Sequence, residues 1–209
     1  MICHIFGTLN LLEPKYSDKD QEFVSITHDN KILLSTNEAS RVQTETFSNL
    51  KGQKKLIFII DLDQTLLHAT VDPQVSEWME KYPQHPVVKD IHAFKLKDSP
   101  NFTYFIKLRP GVREFLKQLE SKFEYHVYTM GSRNYAEAVV KVIDPNGSLF
   151  ADRILSRDES GSFSHKNISR LFPQDQSMVV ILDDRADVWQ YSPNLIRIKP
   201  CKISVVGFR

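Results

Sequence analysis

Cysteine is scarce in this chain: only Cys3 and Cys201, at opposite ends. Two such thiols make neither a disulfide framework nor a zinc site, and a reducing compartment is the simplest reading. Long apolar runs are missing too. The longest are five or six residues, far short of the ~20 that cross a bilayer. Residues 1–12 lack the charged start and apolar stretch of a signal peptide, so no membrane is expected as a partner, and cytosol or nucleus remains. An excess of one charge is also lacking. With 27 Lys and Arg against 26 Asp and Glu, the net charge is +1, and no basic field argues for direct contact with nucleic acid. Internal repeats and low-complexity tracts are not found. What is present is 209 residues with 41% hydrophobic content, enough for one globular domain with a sizeable core.

Residues 1–52 are mixed and weakly periodic, and read as an N-terminal extension packed on the core. Within them, "EFVSITHDNKILLS" has the pattern of two short strands around Asp29 and Asn30, with Val24 and Ile26, then Ile32 and Leu34, sharing a face. From about residue 53 to 209 the pattern is that of a second unit, in which strands and helices alternate. "LIFII" is a short run without polar alternation, as in a central parallel strand. Residues 71–102 look inserted: "PQVSEWMEKY" reads as a helix, and "AFKLKDSPNFTYFIKL" as a hairpin turning at Asp98, Ser99, Pro100 and Asn101. Val112, Phe115, Leu116 and Leu119 recur at the helical spacing, and so do Tyr135, Ala138, Val139 and Val142 behind a Ser132 N-cap. "YHVYTM", "MVVILDD" and "LIRI" are further strands. Strands separated by helices predict an α/β three-layer, Rossmann-like fold with a central parallel sheet and an inserted hairpin and helix segment.

In such a sheet, ligands bind outside the carboxyl ends of the strands. Asp61 and Asp63 stand at one such end, Thr129 at a second, Asp183 and Asp184 at a third. One acidic strand exit is unremarkable; three converging polar exits are hard to assign to chance. Two like charges 4 Å apart repel by roughly 4 kcal/mol at an effective dielectric near 20, so four carboxylates in one crevice need protons or a cation among them. Oxygen ligands with no nearby His or Cys favour Mg²⁺. An aspartate beside such a metal can be a nucleophile that forms an aspartyl-phosphate. Calcium in an EF-hand is excluded: counted from Asp61, the position that needs glycine is Leu66, and a strand precedes the loop.

Asp61-Leu62-Asp63-Gln64-Thr65 after an apolar strand resembles the D-x-D-x-T motif of haloacid-dehalogenase-type phosphatases. Thr129, Lys166 and the Asp183–Asp184 pair resemble the second, third and fourth motifs of that superfamily, in the same order. A narrower resemblance rests on "DLDQTLLHATVDP", "SEWM", "KLRPGVREFL", "YTMGSRNYA", "SRDESG", "SRLFP" and "VILDDRADVW", joined by "FVSITHDNKILLS" upstream. These are similar to the catalytic domain of the eukaryotic RNA polymerase II C-terminal-domain phosphatases.

The resemblance implies roles. Asp61 attacks phosphorus. Asp63 protonates the leaving serine oxygen, then activates the water that cleaves the intermediate, and offers its backbone carbonyl to the metal. Asp61, Asp63, Asp183 and Asp184 thus form the metal set, with Asp184 binding directly and Asp183 through water or by orienting the site. Thr129, with the N–H groups of Met130 and Gly131, holds phosphate oxygens. Lys166 offsets charge on the phosphoryl group and on Asp61; Lys141 is the alternative. Arg109 contacts the substrate phosphate or peptide. Thr65, grouped with the phosphate-binding residues, ties the nucleophile loop together. The activity so implied is that of a Mg²⁺-dependent protein serine phosphatase in the nucleus, dephosphorylating the heptad-repeat tail of RNA polymerase II, with transcription factors as further partners. A phosphopeptide-binding scaffold and a small-molecule phosphatase of the same fold are the alternatives.

Overall fold

The computed structural model of the protein describes residues 34–202, together with Phe23, Val24 and His28. Cys3, Ile26, Asp29, Asn30 and Ile32, named above, lie outside the described residues. Five strands form the central sheet: β3 (Leu56–Ile60), β7 (Phe123–Tyr128), β8 (Ile154–Leu155), β9 (Val179–Asp183) and β10 (Leu195–Arg197), in the order β10-β9-β3-β7-β8. Every pairing is parallel, with Ile60 opposite both Leu182 and Val127. The expected α/β fold with a parallel sheet is therefore present. The two-residue β8 is too short to stand out in the sequence.

Alternate residues of β3 feed two cores. Phe58 and Ile60 pack with Val112, Leu116, Val139 and Val140, which belong to α4 (Val112–Leu119) and α5 (Arg133–Ile143). Ile57 and Ile59 pack on the opposite face with Phe47 and Leu50, from α1 (Thr36–Gly52). Burying both faces explains why β3 carries no polar residue. The α5 stripe is rotated from its expected position. Tyr135, Ala136, Val139, Val140 and Ile143 are buried, because the helix rests on the sheet and on the inserted strands at once.

Helix α1 is hidden in a segment that reads as weakly periodic. Its buried stripe contains Gln43, whose amide donates to the Asp175 carbonyl and accepts from the Gln174 N–H. A polar residue in the stripe, and exposed Thr and Ser around it, blur the 3.6-residue period. The Ser35 N-cap, which accepts from Glu38 N–H, is the signal available in the sequence.

A second, antiparallel sheet comprises β4 (Leu67–Thr70), β5 (Ile91–Leu96) and β6 (Ser99–Leu108), in the order β4-β6-β5. Between β4 and β5 lie α2 (Gln74–Lys81) and α3 (Pro86–Lys89). The hairpin turns at Lys97 and Asp98, earlier than expected, and Ser99 already pairs with Leu96. Pro100 is tolerated in β6 because the β4 pairing reaches only Phe105 to Leu108. A two-residue ladder, β1 (Phe23–Val24) with β2 (Leu34–Ser35), and the short α6 (Arg157–Ser160) complete the elements used below.

Candidate active site

The chain leaves β3 through a locked turn. Leu62 carbonyl accepts from the N–H groups of Thr65, Leu66 and Leu67, and Asp61 N–H donates to Leu182 carbonyl in the neighbouring strand. Gln64 adopts a left-handed conformation (φ 62°), rare for a residue with a β-carbon. Its carbonyl accepts from Cys201 N–H at 2.7 Å and from Arg109 Nη2 at 2.9 Å. Arg109 also donates to Thr65 carbonyl at 2.7 Å and Lys199 carbonyl at 2.6 Å. In the structure Arg109, expected at the substrate, clamps this turn. Its fork of donors reaches three carbonyls, two in the tight turn and one at Lys199, and so ties the two segments together.

Asp61, Thr65, Thr129, Lys166, Asp183 and Asp184 are all buried. Lys166 Nζ lies 2.5 Å from Asp61 Oδ1 and 2.7 Å from Asp183 Oδ2. Lys166 sits in a loop, where its N–H donates to Val188 carbonyl, and its ammonium faces the rings of Tyr128 and Trp189. Burial alone would pull the Lys166 pKa down, but Asp61 and Asp183 outweigh it and hold the ammonium above its ordinary value. Lys141, the alternative, is exposed on α5.

Ligand oxygens of Asp61, Asp183 and Asp184 lie within 4.8 Å of one another. Asp63 contributes no side chain to that trio. Its Oδ1 accepts from Tyr135 OH at 2.6 Å. Thr65 faces Asp184 rather than open space: its hydroxyl accepts from Asp184 N–H at 3.1 Å and donates to Asp184 Oδ1 at 3.4 Å. It thereby ties the first strand exit to the third. Thr129 Oγ1 accepts from Gly131 N–H at 3.0 Å, so that N–H is turned towards the threonine. Met130 lies between them, half-buried. Ser132 caps α5 by accepting from Tyr135 N–H.

Burial raises the pKa of three of the acids. Asp61 is pushed up to about 7, by burial first, with Asp183 adding and Lys166 opposing. Asp63 is raised by burial against the Tyr135 hydrogen bond. Asp184 is raised by burial and by Asp183 beside it. Among the described residues Lys166 is the only buried lysine or arginine, so the buried site is short of positive charge. Three buried oxygen donors with no His or Cys among them fit a hard dication such as Mg²⁺.

Two residues of the site do not stand out in the sequence. Trp189 Nε1 donates to Asp183 Oδ2 at 2.7 Å, sharing that oxygen with Lys166. Tyr135 reads as core. A buried tyrosine needs a partner for its hydroxyl, and that is the only available hint.

Residues 56–202 match the model of the NLI interacting factor-like phosphatases. The chain belongs to that family. It is 47% identical over 196 residues to the RNA polymerase II C-terminal domain phosphatase of Schizosaccharomyces pombe, covering 91% of this chain and 27% of the relative. A solved structure of Fcp1, an essential RNA polymerase II CTD phosphatase, superposes with a TM-score of 0.75 at 48% identity, covering 78% of this chain and 47% of that one. A variant of the fission yeast RNA polymerase II CTD phosphatase Fcp1 bound to beryllium fluoride gives 0.72 at 48% identity, over 76% and 45%. The chain thus spans about a quarter of that curated relative and just under half of the solved chains. The expected resemblance to polymerase-tail phosphatases is borne out at the level of family and fold.

Proposed function

We propose that this chain is the catalytic domain of a protein serine phosphatase that removes phosphate from the tail of RNA polymerase II through an aspartyl-phosphate. The observation that carries this reading is the pairing of Asp61, buried against Lys166, with Asp63, two residues on and held by a different partner. A pure binding module needs a cation for phosphate; it needs neither a buried carboxylate in the place of a nucleophile nor a second one free of the cluster. The names of the relatives support the substrate, and a nuclear location goes with that substrate; partners among transcription factors are part of the same proposal.

In this reading Asp61 attacks phosphorus as the bond to the seryl oxygen breaks, and Asp63 gives its proton to that oxygen. Water then attacks the aspartyl-phosphate, Asp63 takes the water's proton, and phosphate leaves with Asp61 restored. Lys166 holds Asp61 in place and offsets charge. Thr129 and the start of α5 receive phosphate oxygens. Asp61, Asp183 and Asp184 are the side chains that would hold Mg²⁺, which when bound supplies positive charge to the phosphoryl oxygens. Arg109 and Thr65 keep the turn and Asp184 in register.

The inserted hairpin over residues 91–108, which bears an exposed Phe102, is a surface suited to an extended peptide and favours a peptide over a metabolite. The test is phosphate release from singly phosphorylated tail peptides and from a panel of phosphorylated metabolites, with and without Mg²⁺. Catalytic efficiency should be higher on a phosphoserine-proline peptide, since remote contacts can orient the reacting bond. Equal or better efficiency on a metabolite removes the polymerase tail as substrate.

A further inference from the structure

Tyr135 joins three parts of the molecule. Its hydroxyl donates to Asp63 Oδ1 at 2.6 Å. Its ring lies 5.7 Å from Tyr104 and 6.4 Å from Phe94, which stack on each other in the inserted sheet. The chain at residue 131 comes so close that a β-carbon there would sit 2.6 Å from the ring. Glycine there lets the phosphate-receiving turn approach the ring, which also packs on Phe94 and Tyr104 of the inserted hairpin. Burial, then Asp63, raises the phenol pKa, which keeps the hydroxyl protonated, and towards a carboxylate it can only donate.

A donor fixed on Oδ1 has a chemical consequence. When Asp63 is protonated, its proton is placed on Oδ2, because Oδ1 already accepts a hydrogen bond. We propose that Tyr135 is a positioning residue that presents the proton of Asp63 to the leaving oxygen, and that its seat on Phe94 and Tyr104 ties that presentation to the inserted sheet. This rests on reading Asp63 as the proton donor. In the first step the Asp61–phosphorus bond forms, the phosphorus–oxygen bond to the substrate breaks, and the Oδ2 proton passes to the departing oxygen. A seryl oxygen is a poor leaving group and needs that proton. A nitrophenolate is a good one and leaves without it. Tyr135 would therefore act on specificity: it favours alkyl phosphates of a peptide over activated esters, although it touches neither.

The experiment compares Tyr135→Phe with the unaltered chain in single-turnover reactions, following release of dephosphorylated peptide from a phosphoserine peptide and of nitrophenolate from 4-nitrophenyl phosphate. General acids contribute about 10²–10⁴-fold. Losing alignment alone should therefore slow first-turnover peptide release by about tenfold or more, and nitrophenolate release by less than about threefold. Half-saturating substrate concentrations should change by less than about twofold, since no binding contact is removed. Equal slowing on both substrates, or a loss confined to half-saturation, overturns the proposal. Tyr104→Leu tests it from the other side and covers the case in which Tyr135→Phe fails to fold. It should give the same selectivity at smaller size, and equal slowing again overturns the proposal. Asp63→Asn separates the two levels: unselective slowing by that variant sinks the proton-donor reading, whereas selective slowing by Asp63→Asn without it in Tyr135→Phe sinks only the role of Tyr135.

Discussion

Two groups of buried titratable residues share the central sheet, and protons affect them with opposite sign. At the carboxyl edge, burial resists charge on Asp61, Asp63 and Asp184 and raises their pKa values. Within β7, burial resists charge on His126 and lowers its pKa; so too for His28, whose pKa lies well below the ordinary value. The physics is the same, since low dielectric disfavours an ion. An acid becomes neutral by keeping its proton and a base by losing it. The edge therefore gains stability from acid, and the histidine patch loses it. A cation can satisfy the edge but not the patch, which already contends with Arg153, Arg133 and Arg170.

The sharpest break in this comparison is Asp61→Asn. It keeps the shape of the side chain and removes the attacking charge. Turnover should fall to background, on the order of 10⁴-fold or more, as when a nucleophile is removed from a covalent enzyme. Lys166 retains Asp183, so folding should persist. The pH dependence of stability should also flatten. Asp61 binds a proton in the folded state up to about pH 7 but in the unfolded state only near its ordinary value, so the folded form holds more protons between them. Stability without metal then falls as pH rises through that window, and the variant should show a smaller fall, with Asp63 and Asp184 still contributing. Thermal melts from pH 4.5 to 8 in a chelator read it directly; an unchanged slope would show that Asp61 is not the titrating group.

Lys166→Met is next in size. It leaves Asp61 and Asp183 without their ammonium, and breaking a buried pair costs about 3–5 kcal/mol. The loss should be greatest at pH 8 and smaller at pH 5, where Asp61 takes up a proton. Urea midpoints at the two pH values give the comparison. Equal loss at both would mean that packing against Tyr128 and Trp189, rather than charge, is what Lys166 supplies.

Metal should act on the edge alone. At a hundredfold excess over its dissociation constant a ligand stabilises by about 2.7 kcal/mol, or about 5–10 °C in a domain of this size. Mg²⁺ should raise the melting temperature by that order at pH 8 and by less at pH 5.5, where protons compete for the same carboxylates. Asp184→Ala should weaken the response. If that variant titrates with Mg²⁺ like the unaltered chain, Asp184 is not a ligand.

How far the sequence discloses this contrast depends on the kind of signal. Asp61, Thr129 and Asp183 are legible because apolar strands end abruptly on them, and a parallel sheet brings neighbouring strand ends to one edge whatever the details of packing. Helix α1 is not, since Gln43 interrupts its stripe and only the fold shows that its amide is satisfied by the loop at Gln174 and Asp175. Arg109 next to a strand end looks like a phosphate ligand. Its use as a clamp depends on the left-handed Gln64 and on Lys199, 90 residues further on, which no local pattern joins. Tyr135 and Trp189 read as core because they are core. Their polar atoms reach the site only through the tertiary fold. The histidine patch is hidden in the same way, since His28 and His126 are 98 residues apart.

The smallest expected effect tests the other half of the contrast. Ionised Glu124 only accepts, so His126 Nε2 donates to it at 3.0 Å. Neutral His126 then accepts at Nδ1 from His28 Nε2 at 3.1 Å. Charging both rings turns that contact into two donors face to face beside Arg153. With folded pKa values below the ordinary 6.5 for both rings, the unfolded chain binds more protons below that pH. Stability is then fully present above about 6.5 and lost as pH falls. His126→Gln keeps a donor for Glu124 and an acceptor for His28 but cannot charge. It should cost on the order of 1 kcal/mol at pH 8, since both hydrogen bonds are kept while the ring contacts with Phe172 and His28 are lost, and should lessen the loss of stability between pH 6.5 and 5. Turnover at pH 7.5 should match the unaltered chain, because His126 hydrogen-bonds to His28 and Glu124 rather than to any residue of the site. Melting curves in chelator, with Asp61→Asn in the background to reduce the edge's contribution, compare the histidine contribution in chains that share the remaining edge acids. If the acid-side loss survives His126→Gln at full size in that background, the patch is not its source, and the two regions do not oppose each other as their burial implies.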